Sequence, residues 1–354
     1  MGLPVINIAF QTLAATAVKR SERGIVALIV KDSTNALIDN IVYKDISEIN
    51  AQDWTAGVKD YIEKTFLGMP YKVIVQKVAT DALDYNEGLA KLKNKAWNYL
   101  AIPQLQNADA AAIATWIKAQ RTTYNKSFKA VLPNIASDSE GIVNFTTDDI
   151  KVGSKMYTTS EYCCRIAGIL AGLPFTQSAT YYVLDEVESI TEHADPDADI
   201  DAGELILIND TEKIKIGRGV NSLTTTSPTK SAKFKKIRIV EAIDLMRDDI
   251  RITFNDEYVG KVNNKYTNKQ MFVSSVLAYL KTLQREEVLD SDFPIKAEID
   301  FEAQKLYLMS LGVDTSNMSE QEILKYNTGS KVFIKASASP LDAMEDLDFS
   351  MLVI

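Results

Sequence analysis

Ile25-Val26-Ala27-Leu28-Ile29-Val30 is an unbroken apolar run bounded by Gly24 and Lys31. So short and uniform a run reads as a strand buried on both faces, which demands covering layers above and below it. The following sequence supplies candidates for both layers. Periodicity predicts a helix over 54–66, a strand over 71–79, a helix over 85–97, a short strand over 99–102, a helix over 108–124 and a strand over 128–132. Strands and helices alternating at these lengths predict a mainly parallel sheet covered by helices.

A chain of 354 residues has length for about two such domains. Its net charge of −9 argues against generic binding to a nucleic-acid backbone. No apolar run approaches the roughly 20 residues that span a bilayer. The first ten residues lack the basic region and apolar core of a secretory signal, so folding in a cytoplasm is expected. Cys163 and Cys164 are adjacent and are the only cysteines. Two thiols cannot supply a four-ligand zinc site, and both are read as small buried apolar residues.

Three stretches invite a chemical reading, and none completes a motif. The acidic run Asp195 to Asp201 alternates carboxylates like the start of a calcium loop. Counting from Asp195 puts Ile200 at the turn glycine and Ile206 at the bidentate glutamate, and counting from Asp197 puts Ala202 and Ile208 there. The run is therefore read as a solvated loop before a strand over 204–208. Gly217-Arg218-Gly219 lacks the third glycine of a dinucleotide fingerprint, and no phosphate-binding lysine loop occurs. His193, the one histidine, stands beside Glu192 and Asp195 with no Gly-x-Ser-x-Gly elbow in the chain. No catalytic, cofactor or metal residue is assigned.

In the second half, Phe234 to Val240 is expected as a strand, with Ile237 and Ile239 on its buried face, and 241–254 as a helix with the apolar stripe Ile243, Met246, Ile250 and Phe254. A second helix begins near Thr267 or Asn268, either of which could cap it, and carries Phe272, Val276, Tyr279, Leu280 and Leu283 on one face. Lys265, Lys269, Lys281 and Arg285 lie off that stripe. A basic segment, Lys230, Lys233, Lys235, Lys236 and Arg238, lacks the aromatic interleaving of a single-strand binder and is read as a solvated or protein-facing edge. A strand with a solvent face follows over 331–338.

Both ends are β-prone. Val5, Ile6, Ile8 and Phe10 stand apart from the first domain, and Leu347, Phe349, Met351 and Val353 alternate with more polar neighbours after a Pro-containing break. An isolated strand cannot satisfy its own backbone groups, so each end is expected to join a sheet edge. In order, Lys213-Ile-Lys-Ile-Gly-Arg-Gly-Val-Asn221, the Thr/Ser/Pro passage that follows it, and the elements down to Leu289 resemble the C-terminal half of contractile tail sheath proteins. The likeness is to the short sheaths of PBSX-like phages and phage-tail-like bacteriocins. Tyr162 to Pro174, dense in small residues with Gly168, Ala171 and Gly172 permitting close backbone approach, is similar to that family's Ala-Gly segment.

The resemblance implies an α/β protein of two domains, each a mixed sheet with packed helices, plus N- and C-terminal strand arms. The expected spans are a 1–22 arm, a 23–228 outer domain of the fold described as subtilisin-like in sheaths, a 229–338 inner domain and a 339–354 arm. It implies a structural role without a cofactor. The partners would be further copies in hexameric rings stacked into a helical sheath, a tail tube, and baseplate and tail terminator proteins, with no nucleic acid and no membrane insertion. Lys265, Lys269, Lys281 and Arg285 are the candidate tube contacts. The rival expectation, resting on the β/α alternation alone, is a doubly wound enzyme binding a nucleotide or small acidic substrate.

Overall fold

A computed structural model of the chain describes residues 23–228 and 230–353. The expected N-terminal arm, with Val5, Ile6, Ile8 and Phe10, lies outside the described residues. The chain divides into two compact units, one comprising residues 23–245 with 342–353 and the other Met246–Leu341.

The first unit opens with β1 (Ile25–Lys31), β2 (Asn40–Tyr43), α1 (Ala56–Phe66), β3 (Lys72–Val78), α2 (Asn86–Leu92), β4 (Tyr99–Ala101), α3 (Asn107–Thr122) and β5 (Lys129–Pro133). It continues with β6 (Ile142–Phe145), β7 (Ile150–Val152), β8 (Lys155–Tyr157), α4 (Thr159–Gly172), α5 (Pro196–Asp201), β9 (Glu204–Leu205), β10 (Leu207–Asn209) and β11 (Ile214–Ile216). Seven strands form one sheet in the order β2-β3-β1-β4-β5-β6-β9. Only β2, at an edge, runs antiparallel to its neighbour. Because successive side chains of a strand point to opposite faces, β1 feeds two cores. Val26, Leu28 and Val30 pack with residues of α1 and α4, while Ile25, Ala27 and Ile29 pack with residues of α2 and α3. Both expected covering layers are present.

α4 starts on a capping box, with Thr158 accepting from the Glu161 amide and Glu161 reaching back, and stops before Pro174. Its small residues meet α1 and the turn that follows it at backbone distance. A β-carbon built on Gly168 would lie 2.1 Å from the Thr65 carbonyl oxygen, and one on Gly172 would lie 1.8 Å from that of Gly68. Neither obstacle is a side chain that can swing away. Gly168→Ala is therefore expected to destabilise the unit by about 1–3 kcal/mol, the range for forcing an extra carbon into a packed interior. Thermal denaturation checks this, and an unchanged midpoint would show that α1 and α4 separate freely. Cys163 and Cys164 are buried on α4 as free thiols. Burial pushes the Cys163 thiol well up and that of Cys164 to about 12, so neither is a thiolate at neutral pH.

Several sequence expectations are corrected. Residues 234–240 form no strand: a 3-10 turn over Ala232–Lys235 leads into α6 (Ile237–Glu257). Ile237, Ile239 and Val240 are all buried, which a strand with one solvent face does not permit. Nor is the stripe Ile243, Met246, Ile250 and Phe254 the buried face of α6, since all four are only half-buried while Ala242, Asp244, Leu245, Asp249 and Thr253 are buried. The acidic run is a short helix, α5, rather than a loop. Asp195 caps it by accepting from the Ala198 amide, and proline stands in its first turn.

The second unit holds the latter part of α6, α7 (Tyr266–Arg285), β12 (Lys296–Ile299), α8 (Phe301–Ser310), α9 (Glu320–Lys325) and β13 (Ile334–Ser337). The expected face of α7 is buried: Phe272, Val276, Tyr279, Leu280 and Leu283. Its N-cap is Lys265, without a side-chain cap, and Asn268 instead donates to the Asn263 carbonyl. Tyr279 donates to Asp249 at 2.6 Å, fastening α7 to α6. β12 and β13 pair antiparallel as a two-stranded ribbon. The units part between Leu245 and Met246, inside α6, whereas the sequence reading put the boundary after residue 228.

Candidate assembly surfaces

Residues 342–353 return to the first unit, and their base is held by charge. The Glu345 carboxylate accepts from Thr180 Oγ1 at 2.7 Å, Ser178 Oγ at 2.8 Å and Lys236 Nζ at 3.0 Å. Lys236 also pairs with Asp342 at 2.6 Å, and Arg218 pairs with Asp346. Burial opposes the charge on Glu345, yet the hydrogen bonds from Thr180, Ser178 and Lys236 outweigh it and hold its pKa below the usual glutamate value. A depressed carboxylate pKa stabilises fully above the unfolded value and is lost only as pH falls through the folded one. The contacts of Glu345 therefore persist at neutral pH.

Beyond this point the side chains face solvent: Leu347 is 88% exposed, Phe349 73%, Met351 70% and Val353 81%. The sequence reading has the chain ending as a strand; among the described residues, 341–353 form none within this single subunit. Among the described residues no sheet edge takes up their backbone groups, although the alternating pattern is that of a strand.

The four candidate tube contacts do not share one surface. Lys265, Lys281 and Arg285 are exposed. Lys269 is 3% exposed, with its ammonium 2.9 Å from Thr328 Oγ1 and 3.1 Å from Gln304 Oε1. Burial pushes its pKa below the usual lysine value. It fastens α7 to α8 and to the turn before β13, and it leaves the contact set. Of the basic segment, Lys230 pairs with Glu140 at 2.8 Å and Lys236 with Asp342 and Glu345, so part of its charge is spent inside the subunit.

Two places where this fold could host chemistry are occupied by its own residues. Ligands of doubly wound sheets bind where the strand order reverses, here between β1 and β4. There Gln104 accepts from the Lys31 amide at 2.6 Å and donates to the Lys31 carbonyl at 3.1 Å. His193 stands between Asp199, 2.7 Å from Nδ1, and Thr147, 3.0 Å from Nε2, the order of a hydrolytic triad. Thr147 is fully buried, and its hydroxyl oxygen already accepts from the Leu207 amide at 2.8 Å. It cannot meet a substrate. Glu204 lies with His193 and Asp199 in a potential metal-ligand group, yet both ring nitrogens are already engaged by protein partners.

These features define an α/β protein with a mainly parallel sheet and an exposed, strand-patterned C-terminal segment. Comparison with known proteins agrees. Residues 79–222 match the phage tail sheath protein central domain, and residues 229–354 match the phage tail sheath C-terminal domain. The tail sheath protein of Clostridium phage phiCD119 (strain Clostridium difficile/United States/Govind/2006) is 40% identical over 362 residues, covering 98% of both chains. The phage-like element PBSX protein XkdK of Bacillus subtilis (strain 168) is 27% identical over 173 residues, 47% of this chain and 37% of that one. The contracted helical sheath of the anti-feeding prophage shares the fold, with a TM-score of 0.72 at 12% identity over 99% of both chains.

The chain belongs to the phage tail sheath family. It is a structural subunit of a phage tail sheath and not an enzyme, and the alternative of an enzyme binding a nucleotide or small acidic substrate is not favoured.

Proposed function

We propose that copies of this chain, made in a bacterial cytoplasm, stack as hexameric rings into a helical sheath around a tail tube, between a baseplate and a terminator. Contraction of the sheath drives the tube through a target cell envelope. The energy resides in the metastable extended assembly, and no nucleotide is consumed. The observation that carries this reading is the exposure of Leu347, Phe349, Met351 and Val353 on a segment patterned as a strand. Burying a side chain of this size is worth about 1.5–3 kcal/mol, so covering them favours association.

The segment needs a sheet edge in another copy. The β12–β13 ribbon offers one, because a two-stranded ribbon leaves an outer edge on each strand and gains stability from a third. Strand addition supplies main-chain hydrogen bonds, and the alternating side chains set the register. Val5, Ile6, Ile8 and Phe10 are assigned the same role at the other end. Links of this kind hold neighbours together while the subunits move as rigid bodies. Electron microscopy of the purified protein tests the reading: tubes support it, and a strictly monomeric particle refutes it.

The tube contact is assigned to Lys265, Lys281 and Arg285 on and beside α7, whose positive charge suits a carboxylate-bearing tube surface. Lys281→Glu with Arg285→Glu is expected to weaken co-sedimentation with tube about tenfold or more while sheath subunits stay folded, given the cost of like charges across an interface. Undiminished co-sedimentation would remove these residues from the contact.

A further inference from the structure

Burial changes abruptly along 344–347. Met344 and Leu347 are 104% and 88% exposed, whereas the Glu345 side chain between them is 5% exposed. One residue of the arm is thus inserted into the subunit, and it is charged. Its three donors are not loose surface groups. Thr180 Oγ1 also accepts from the Gly219 amide at 3.0 Å, and Ala179 beside it is in the core. The Ile237 amide donates to the Gly219 carbonyl at 3.0 Å, so Lys236 leads directly from this turn into α6. One turn further on, Glu241 and Asp244 are tied to Lys129 of β5, and Asp244 also to Arg121 of α3.

We propose that Glu345 is the anchor of the C-terminal arm. It pins 342–346 to the seven-stranded unit, leaves 347–353 as the length free to reach a second copy of this chain, and delivers tension on an exchanged arm to Thr180, Ser178 and Lys236. This rests on the reading of 347–353 as an exchanged strand. Hydrogen bonds to an ionised carboxylate are about twice as strong as neutral ones, which suits a joint that must hold while neighbouring copies rearrange. The anchor also fixes the register more sharply than the neighbouring ion pairs: without it 342–346 keeps the Lys236–Asp342 and Arg218–Asp346 pairs, whose carboxylate side chains are 40% and 75% exposed. Glu345 acts here as a positioning residue, through the segment it holds.

The test has two stages, the first needing no assembly. A nitroxide is attached to Met344→Cys in the full-length subunit, where Cys163 and Cys164 are buried and unreactive. Glu345→Ala and, separately, Lys236→Met are expected to raise label mobility about threefold or more with an unchanged circular dichroism spectrum; unchanged mobility in both overturns the anchor. In the second stage, Glu345→Ala tubes are sheared and their lengths compared with wild type. Tubes at least about threefold shorter support the transmission of tension. Tubes as long as wild type overturn it, while their existence leaves the sheath reading intact. If the wild-type chain forms no tubes, the sheath reading fails and the anchor is decided by label mobility alone.

Discussion

Asp244→Ala is expected to lower the melting temperature on the order of 10 °C. The carboxylate is fully buried and receives two bonds from Arg121, at 2.8 and 3.0 Å, and one from Lys129 at 3.2 Å. Arg121 and Lys129 are themselves 6% and 2% exposed, so water cannot replace the lost charge. What remains is Glu241, 2.9 Å from Lys129, and Glu140, 3.6 Å from Arg121. Breaking a buried ion pair by removing one partner costs about 3–5 kcal/mol, chiefly through the uncompensated charges left behind. A unit of this size loses about 2–4 °C for each kcal/mol, which gives the expected shift. Lys151→Ala is the control, since its pair with Glu188 has both side chains about half exposed and such pairs contribute at most about 1 kcal/mol. Calorimetry giving the two variants equal midpoints would show that the Arg121-Asp244-Lys129 cluster does not hold α6 to the sheet.

What could be read from sequence follows from what each feature depends on. β1 was legible because burial on both faces leaves a mark within six residues, and the α4 glycines because close packing restricts residue type locally. The start of α6 was not. Its β-branched residues alternate with charges, and the tertiary contacts that select helix lie elsewhere: the Gly219 carbonyl on its first amide and Arg121 on its second turn. Arg121 and Asp244 stand 123 positions apart, beyond any periodicity window. Asp244, Asp249 and Thr253 are buried polar residues that a count of apolar residues must miss. The setting of His193 was legible only in part, as an acidic neighbourhood, because Thr147 comes from 46 residues away. Lys269 was misplaced for the same reason: a lysine off the apolar stripe looks solvated until Gln304 and Thr328 are brought to it. For the C-terminal arm, the pattern of 347–353 was visible but the hold at Glu345 was not, since Ser178 and Thr180 are more than 160 positions earlier.

Removal of 347–354 is expected to abolish tube formation and leave the subunit folded, with a melting temperature within about 1 °C of wild type. The side chains of Leu347, Phe349, Met351 and Val353 are 70–88% exposed, so deleting them uncovers little apolar surface in the monomer. In the assembly the same residues would be buried, at about 1.5–3 kcal/mol each, alongside the main-chain bonds of an added strand. On the proposed strand exchange, one segment contributes little to folding and much to association. Cutting further back, at 342, also removes Asp342 and Glu345, both partners of Lys236, and should add a modest loss of stability that the shorter deletion lacks. Comparing the two deletions separates the arm from its anchor. Removing residues 1–12 is the matching test for the other end, and tubes should again be lost. Circular dichroism and electron microscopy of each product decide the matter. Normal tubes from the 347–354 deletion would mean that the lattice is held by contacts between folded surfaces alone. Loss of folding would mean instead that the segment completes its own subunit, as a strand tucked into its own sheet would.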